Sequence, residues 1–175
     1  SWSLKDFEIS YLDKDYVINT TEFACIDVAN GNMLKLHNII TKAKHKYGDK
    51  LLIMSGNVAS VEAFVALAKT GCDYIRVGIG GSSVCSTYLN TGVGYDKPLD
   101  DLILECYEAK LVNKFSTGIV ADGISSYIDY LVTNKKGLPN GYAAINRLLY
   151  AGADYVMVGT LFAQAFESAA EKYIN

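Results

Sequence analysis

The glycine-rich segment at residues 77–87 contains the residue types best suited to chemistry. Gly78, Gly80 and Gly81 leave backbone N–H groups open to an anion, and the serine hydroxyls of the segment add further donors. A cysteine beside such donors, here Cys85, can be held as the reactive thiolate, because positive local potential favours its charged form. The segment predicts a phosphate-binding loop with a nucleophilic thiol, or alternatively an ordinary turn with a structural cysteine.

Small or hydrogen-bonding residues also lie at or just after the ends of other short apolar runs, which fit buried strands. They include Asp27 and Asn30, then Asn57, then Asp122. In barrels of parallel strands the chemistry lies at the carboxyl ends of the strands, so these side chains are candidates for one shared site. The alternative for Asn30 or Asp122, taken singly, is capping of the helix that follows.

The histidines and cysteines predict no metal site. His37 and His45 lie in a lysine-rich helical stretch, which indicates a solvated face rather than a general base or a metal ligand. The four cysteines are far apart and form no CxxC pair, which argues against zinc and against a disulfide framework. We expect at least three of them to act as small apolar residues.

Composition limits the class of protein further. A chain of 175 residues that is 50% hydrophobic can bury the core of one domain, so we predict a single domain over residues 1–175. The net charge of -3 comes from dispersed charges, which excludes the basic stripe of a nucleic-acid-binding protein. No apolar run approaches a membrane span and Ser1–Asp6 is unlike a secretory signal, so the expected location is cytoplasmic, without membrane contact.

Short apolar runs that fit buried strands alternate with stretches of helical spacing. Helical spacing appears around Leu34–Ala43, Val61–Leu67 and Leu102–Ala109, with a further helix starting near Tyr142. Such alternation predicts an α/β fold with a parallel sheet, because parallel strands need crossover connections. The predicted strands are Phe23–Val28, Leu51–Met54, Tyr74–Val77, Thr117–Ala121 and Tyr155–Val158.

An internal repeat supports this interpretation. Residues 71–78, Gly-Cys-Asp-Tyr-Ile-Arg-Val-Gly, closely parallel residues 152–159, Gly-Ala-Asp-Tyr-Val-Met-Val-Gly. Repeated βα units build a (β/α)8 barrel, but a doubly wound sheet of this length also has about five strands. Periodicity alone leaves both folds open.

Six segments stand out along the chain: Asp27–Gly31, Met54–Val58, Val77–Thr87, Thr91–Tyr95, Ala121–Gly123 and Val156–Ala163. In this order they resemble successive signatures of the IMP dehydrogenase/GMP reductase family. The resemblance implies a (β/α)8 TIM barrel, present here as an incomplete barrel of about five to six βα units, with the Ser1 region near the end of the third strand. An eight-unit barrel needs about 250 residues. We therefore expect exposed sheet edges and an apolar inner face that further polypeptide or a homo-oligomer covers.

The resemblance also implies roles for individual residues. Cys85 would attack the purine C2 position, with Thr87 placed for leaving-group or water activation. Asp122 would accept hydrogen bonds from the ribose hydroxyls of a purine mononucleotide. The implied 5′-phosphate ligands are Ser83, Gly123, Gly159 and Thr160; the implied cofactor-side residues are Asp27, Asn57, Gly78 and Gly80, with a monovalent cation as a further candidate ligand of the Cys85 loop.

Within the family, residues 27–31 and 91–95 look more like GMP reductases, which implies NADPH-dependent reductive deamination of GMP to IMP. IMP dehydrogenase chemistry with NAD is one alternative, and an inactive paralogue that binds a purine nucleotide or assists assembly is another. The sequence departs from the family where proline then glycine usually stand, at Gly81 and Ser82, and where Ile124 replaces a second glycine. These departures predict a looser phosphate site.

Overall fold

The computed structural model describes residues 1–13, 16–79, 98–123, 141–159 and 167. Within them, five strands form one sheet in the order β1-β2-β3-β4-β5, and every neighbouring pair is parallel. All five predicted strands are confirmed, although β2 continues further than predicted and β5 is shorter. The strands are β1 (Glu22–Asp27), β2 (Leu51–Val58), β3 (Tyr74–Val77), β4 (Gly118–Ala121) and β5 (Tyr155–Val156).

Helices alternate with these strands, which confirms the predicted α/β class. Ser60 begins α3 in the expected way, because its hydroxyl accepts a hydrogen bond from the Ala63 N–H at 3.2 Å. None of the described helices is long and apolar enough to cross a membrane. The helices are α1 (Leu4–Phe7), which continues as a π-helical turn (Glu8–Leu12), α2 (Leu34–Tyr47), α3 (Val61–Ala68), α4 (Leu99–Asn113) and α5 (Gly141–Tyr150).

The main core lies between the sheet and its helices. Side chains alternate across each strand, so one face of the sheet presents a row of β-branched residues to the helical layer. That row and the helical side chains facing it are completely or almost completely buried, as expected for a sheet face that helices cover. The row includes Ile26, Ile53, Ile75 and Ile119, and the helical side includes Leu36, Ile40, Phe64, Leu67 and Ile103.

The opposite face of the sheet carries a layer of aromatic rings. Tyr74 contacts Phe23 and Tyr155, with ring centroids 5.8 and 5.6 Å apart. With Met54 and Val120 these rings line an apolar cavity of about 330 Å³. Phe23 and Tyr155 are each 54% exposed. The three rings come from alternate strands, as side chains do within one layer of a barrel interior. The predicted apolar inner face is therefore present and open.

The free edge of β1 is partly paired by the amino-terminal residues. Trp2 donates its N–H to the Cys25 carbonyl at 2.7 Å and accepts from the Asp27 N–H at 3.0 Å. This bridge is parallel and centred on Ile26. Trp2 therefore occupies the position of a further parallel strand beside β1, in agreement with the strand order that the resemblance implies.

Asp73, the aspartate of the first internal repeat, ties a helix to the sheet. Its carboxylate accepts the Ile53 N–H at 2.7 Å and also binds the Lys44 ammonium at 2.9 Å. The Asp73 N–H in turn donates to the Ile53 carbonyl at 3.0 Å. One aspartate therefore joins α2, β2 and the start of β3.

Asp154, the aspartate of the second internal repeat, makes the same set of contacts two strands later in the chain. Its carboxylate accepts the Ile119 N–H at 2.7 Å and the Lys110 ammonium at 2.8 Å, and its own N–H donates to the Ile119 carbonyl at 2.9 Å. It joins α4, β4 and the start of β5. The repeated sequence therefore encodes a repeated clamp at the amino-terminal end of the sheet.

Candidate functional site

The carboxyl ends of β1 to β5 lie along one edge of the sheet and carry six of the predicted site residues. Because the strands are parallel, each strand brings its last residues to this same edge. The other predicted residues lie outside the described part of the chain. The described ones are Asp27, Asn57, Gly78, Asp122, Gly123 and Gly159; the others are Gly80, Ser83, Cys85, Thr87 and Thr160.

The Asn57 side chain joins the ends of three strands. Its Nδ2 donates to the Gly78 carbonyl at 2.6 Å and to a carboxylate oxygen of Asp122 at 2.7 Å. An amide nitrogen has two hydrogens, so both are used. Among the described residues, none donates to the second Asp122 oxygen. The structure thus brings Asn57, Gly78 and Asp122 together, and Asp122 is held by a neighbour while it can still accept hydrogen bonds.

Gly78 allows the ends of β3 and β4 to approach closely. Its N–H donates to the Val58 carbonyl at 2.9 Å, and the Asp122 N–H donates to Val77 at 2.9 Å. Gly78 has a φ of +119°, and a Cβ there would lie 2.2 Å from the Asp122 carbonyl oxygen. No side chain fits at that distance, so the position requires glycine.

An ion pair between Arg76 and Asp27 lies beside this cluster. The Arg76 side chain is 8% exposed and donates through Nη2 to Asp27, and to the Gly56 carbonyl at 3.3 Å. Its Nε is buried and has no hydrogen-bond partner among the described residues. Asp27 is 54% exposed. The pair therefore presents an accessible carboxylate next to a buried guanidinium, whose Nε–H has no partner among the described residues.

The sequence interpretation missed Arg76. The signal was a single arginine inside an apolar strand run, between Ile75 and Val77. Arginine is almost never fully buried unless it is paired, so a buried strand position should have indicated a partner carboxylate and a site.

Gly123 and Gly159 follow the neighbouring strands β4 and β5. Gly123 has a φ of +93° and is half-buried, whereas Gly159 is exposed and nothing lies within 4 Å of a Cβ placed there. No hydrogen bond among the described residues ties Gly159 to the Asn57 cluster. The interpretation of Asn30 as a helix cap is wrong, because Asn30 accepts from the Asn32 N–H at 2.9 Å within the loop and α2 starts later.

Two of the cysteines behave as the composition predicted. Cys72 and Cys106 are buried, and Cys25 is half-buried. Burial raises the pKa of Cys72 to about 12, so this thiol stays protonated at neutral pH and is unsuited to nucleophilic attack. Among the described residues, no group of three His, Cys, Asp or Glu side chains is placed to hold a metal ion.

His37 differs from the solvated residue that its lysine-rich surroundings predicted. It is half-buried, and its Nε2 lies 2.9 Å from the Gly31 carbonyl oxygen in the loop after β1. His45, on the same helix, is exposed as expected. Spacing could not separate the two, because the contact depends on how the loop folds back over the start of α2.

Comparison with known proteins identifies the family. The model of the IMP dehydrogenase / GMP reductase domain matches residues 14–175. The chain is 35% identical over 150 residues to an inosine-5'-monophosphate dehydrogenase of Chlorobaculum parvum, covering 86% of this chain and 26% of that protein. It is 35% identical over 146 residues to a GMP reductase of an Enterobacter species, covering 83% and 37%, respectively. A GMP reductase of Yersinia enterocolitica is 36% identical over 142 residues, with 81% and 35% covered.

The chain spans 26 to 37% of the length of these three curated relatives. The family model nevertheless covers nearly all of the chain, and the parallel sheet with its alternate-strand aromatic layer has the architecture of that family's barrel. The chain is therefore a member of the IMP dehydrogenase/GMP reductase family of TIM-barrel oxidoreductases and comprises part of such a barrel.

Proposed function

We propose that this chain belongs to a GMP reductase, which converts GMP to IMP by NADPH-dependent reductive deamination. The observation that carries the proposal is the Asn57 amide that joins the end of β3 to the Asp122 carboxylate. The choice of GMP reductase within the family rests on residues 27–31 and 91–95, which look more like GMP reductases.

Asp122 is suited to bind the ribose of a purine mononucleotide. A carboxylate accepts hydrogen bonds from both hydroxyls of a vicinal diol, and Asn57 fixes the orientation of this one from the protein side. Backbone N–H groups beside Gly123 and Gly159, with the hydroxyls of Ser83 and Thr160, suit a 5′-phosphate. In this proposal the nucleotide lies across the ends of β3, β4 and β5.

The residues around Arg76 fit the nicotinamide end of a dinucleotide cofactor. The buried Arg76 guanidinium holds the Asp27 carboxylate, which is exposed and can accept hydrogen bonds from a ligand. Asn57 and Gly78 border the same place, and Gly80 follows along the chain. A bound NADPH would supply hydride there, while Asp27 orients its polar groups and Arg76 holds Asp27 in place.

Cys85 is proposed as the nucleophile. Its sulfur bonds to C2 of the purine as the 2-amino group leaves as ammonia, with Thr87 placed to assist proton transfer to that leaving group. Hydride then adds at C2, the carbon–sulfur bond breaks, and the thiolate is regenerated with IMP as product. A monovalent cation bound by the Cys85 loop would hold this segment in place.

The test measures NADPH oxidation and ammonia release with GMP, against NAD reduction with IMP. GMP-dependent NADPH oxidation that is lost in Cys85→Ala, with GMP binding retained by calorimetry, supports the proposal. NAD reduction with IMP instead would assign the chain to IMP dehydrogenase chemistry. The chain is as similar to one IMP dehydrogenase as to one GMP reductase, at 35% identity to each. Absence of GMP and IMP binding at millimolar ligand would refute a purine-nucleotide site in this chain.

A further inference from the structure

The loop between β1 and α2 lies against the residue that organises the site. The Gly31 N–H donates to the Asn57 carbonyl at 2.8 Å, and the Val28 N–H donates to the Gly56 carbonyl at 3.3 Å. A Cβ on Gly31 would lie 2.9 Å from the Asn57 oxygen and 3.2 Å from the Gly56 Cα. The Gly31 peptide is thus in direct backbone contact with Asn57, whose side chain holds Asp122 and Gly78.

His37 binds the other polar atom of Gly31. Its Nε2 lies 2.9 Å from the Gly31 carbonyl oxygen. A carbonyl only accepts hydrogen bonds, so Nε2 must be the protonated nitrogen and the donor. Gly31 is therefore fixed from two sides, by His37 through its C=O and by Asn57 through its N–H.

Few other contacts among the described residues hold this loop at the start of α2. The residue before the helix is Met33, which makes no side-chain capping bond. His37 reaches back from the first turn to the loop, whereas the one Asn30 side-chain bond among the described residues stays within the loop, to Asn32. His37 is thus the described helical side chain that connects α2 to this loop by a hydrogen bond.

We infer that His37 is a positioning residue for the candidate site: by holding Gly31 against Asn57, it sets the Asn57 carboxamide between Gly78 and Asp122. His37 itself contacts none of the proposed ligands. The inference about binding rests on the proposed function, in which Asn57 borders the nicotinamide cofactor, whereas the inference about Asn57 geometry stands independently.

The chain offers matched variants for a test. His37→Leu removes the donor and keeps an apolar side chain of similar length, and His37→Gln restores an N–H donor at a comparable distance from the backbone. His45→Leu makes the same change on an exposed face of the same helix. Far-UV circular dichroism and thermal melting establish that each variant is folded before comparison.

The first readout is NMR of ¹⁵N-labelled protein, with the Asn57 side-chain NH₂ pair assigned by its loss in Asn57→Asp. We expect His37→Leu to move this pair toward the position of a free amide and to speed exchange of the Gly31 amide about fivefold or more, as for loss of one hydrogen bond. His37→Gln and His45→Leu should keep the wild-type values. Unchanged Asn57 and Gly31 signals in folded His37→Leu would overturn the inference.

The second readout is titration with NADPH, followed by fluorescence. We expect His37→Leu to weaken binding about fivefold, His37→Gln to restore most of the affinity, and His45→Leu to bind as wild type. Equal affinity of His37→Leu and wild type would refute a positioning role in cofactor binding. If the wild type itself binds no NADPH, the proposed cofactor site fails, and the NMR result still decides the role of His37.

Discussion

The clamp made by Asp73 gives the sharpest stability prediction, which is tested by Asp73→Ala. The substitution leaves the N–H of the fully buried Ile53 without its acceptor, which costs about 1–3 kcal/mol. It also leaves the Lys44 ammonium without its counter-ion, although that ammonium still donates to the Leu51 carbonyl at 3.0 Å. Breaking a fully buried ion pair costs about 3–5 kcal/mol. This pair is partly exposed and the lysine can reach water, so we assign about 1 kcal/mol to the loss of the ion pair.

We therefore expect Asp73→Ala to lower the free energy of unfolding by about 3 kcal/mol. The matched change Asp154→Ala should cost less, about 2 kcal/mol, because the Asp154 side chain is 38% exposed against 22% for Asp73. Asp73→Asn keeps an acceptor for the Ile53 N–H and should cost about 1 kcal/mol.

Urea unfolding followed by circular dichroism measures these differences, provided that the transition is two-state. A double-mutant cycle with Lys44→Met isolates the ion pair from the Ile53 hydrogen bond. Equal stabilities of Asp73→Ala and wild type would refute the clamp as a source of stability. A larger loss for Asp154→Ala than for Asp73→Ala would refute the argument from exposure.

Three further predictions concern individual positions. Gly78→Ala should destabilise the fold by at least about 2 kcal/mol in the same urea assay, since its Cβ would meet the Asp122 carbonyl at a positive φ; wild-type stability would contradict the requirement for glycine. In brief iodoacetamide labelling of native protein, mass spectrometry should find Cys25 modified before Cys72, whose pKa is raised to about 12; the reverse order would contradict the burial argument. Burial and a hydrogen bond to the Glu22 carboxylate raise the pKa of Tyr11 to about 12. Because Tyr11 of the unfolded chain loses its proton first, the free energy of unfolding should fall as pH rises from about 10 to about 12. Tyr11→Phe should make that fall shallower.

The order and type of elements could be read from the sequence because strand and helix periodicities are local properties. The strand Tyr74–Val77 was predicted with its observed bounds, because its aromatic and β-branched residues favour a strand even with Arg76 among them. The limits of β2 were missed because Ser55, Gly56 and Asn57 are not typical strand residues. Pairing with β1 and β3 keeps Ser55 and Gly56 in the ladder, and Asn57 lies at a register shift between Gly56 and Val58.

The site was only partly predictable, for a reason that Arg76 and His37 illustrate. Arg76 stands out in the linear sequence only as an arginine within an apolar run, and His37 looks like a solvated residue. The roles of both depend on partners from other elements. Arg76 meets Asp27 across the sheet, 49 positions away in the chain, and His37 meets a loop whose path no spacing rule predicts.

The sequence by itself determined the α/β class and the residue types that reach the strand ends, because these depend on local pattern, and it indicated the family through the resemblance of six ordered segments. The tertiary structure decided which of those residues act together. Asn57 and Asp122 lie 65 positions apart and meet because parallel pairing brings the carboxyl ends of β2, β3 and β4 to one edge. Hydrogen bonds extend about 3 Å, so only the register of the folded sheet could select Asp122, rather than another carboxylate, as the partner of Asn57.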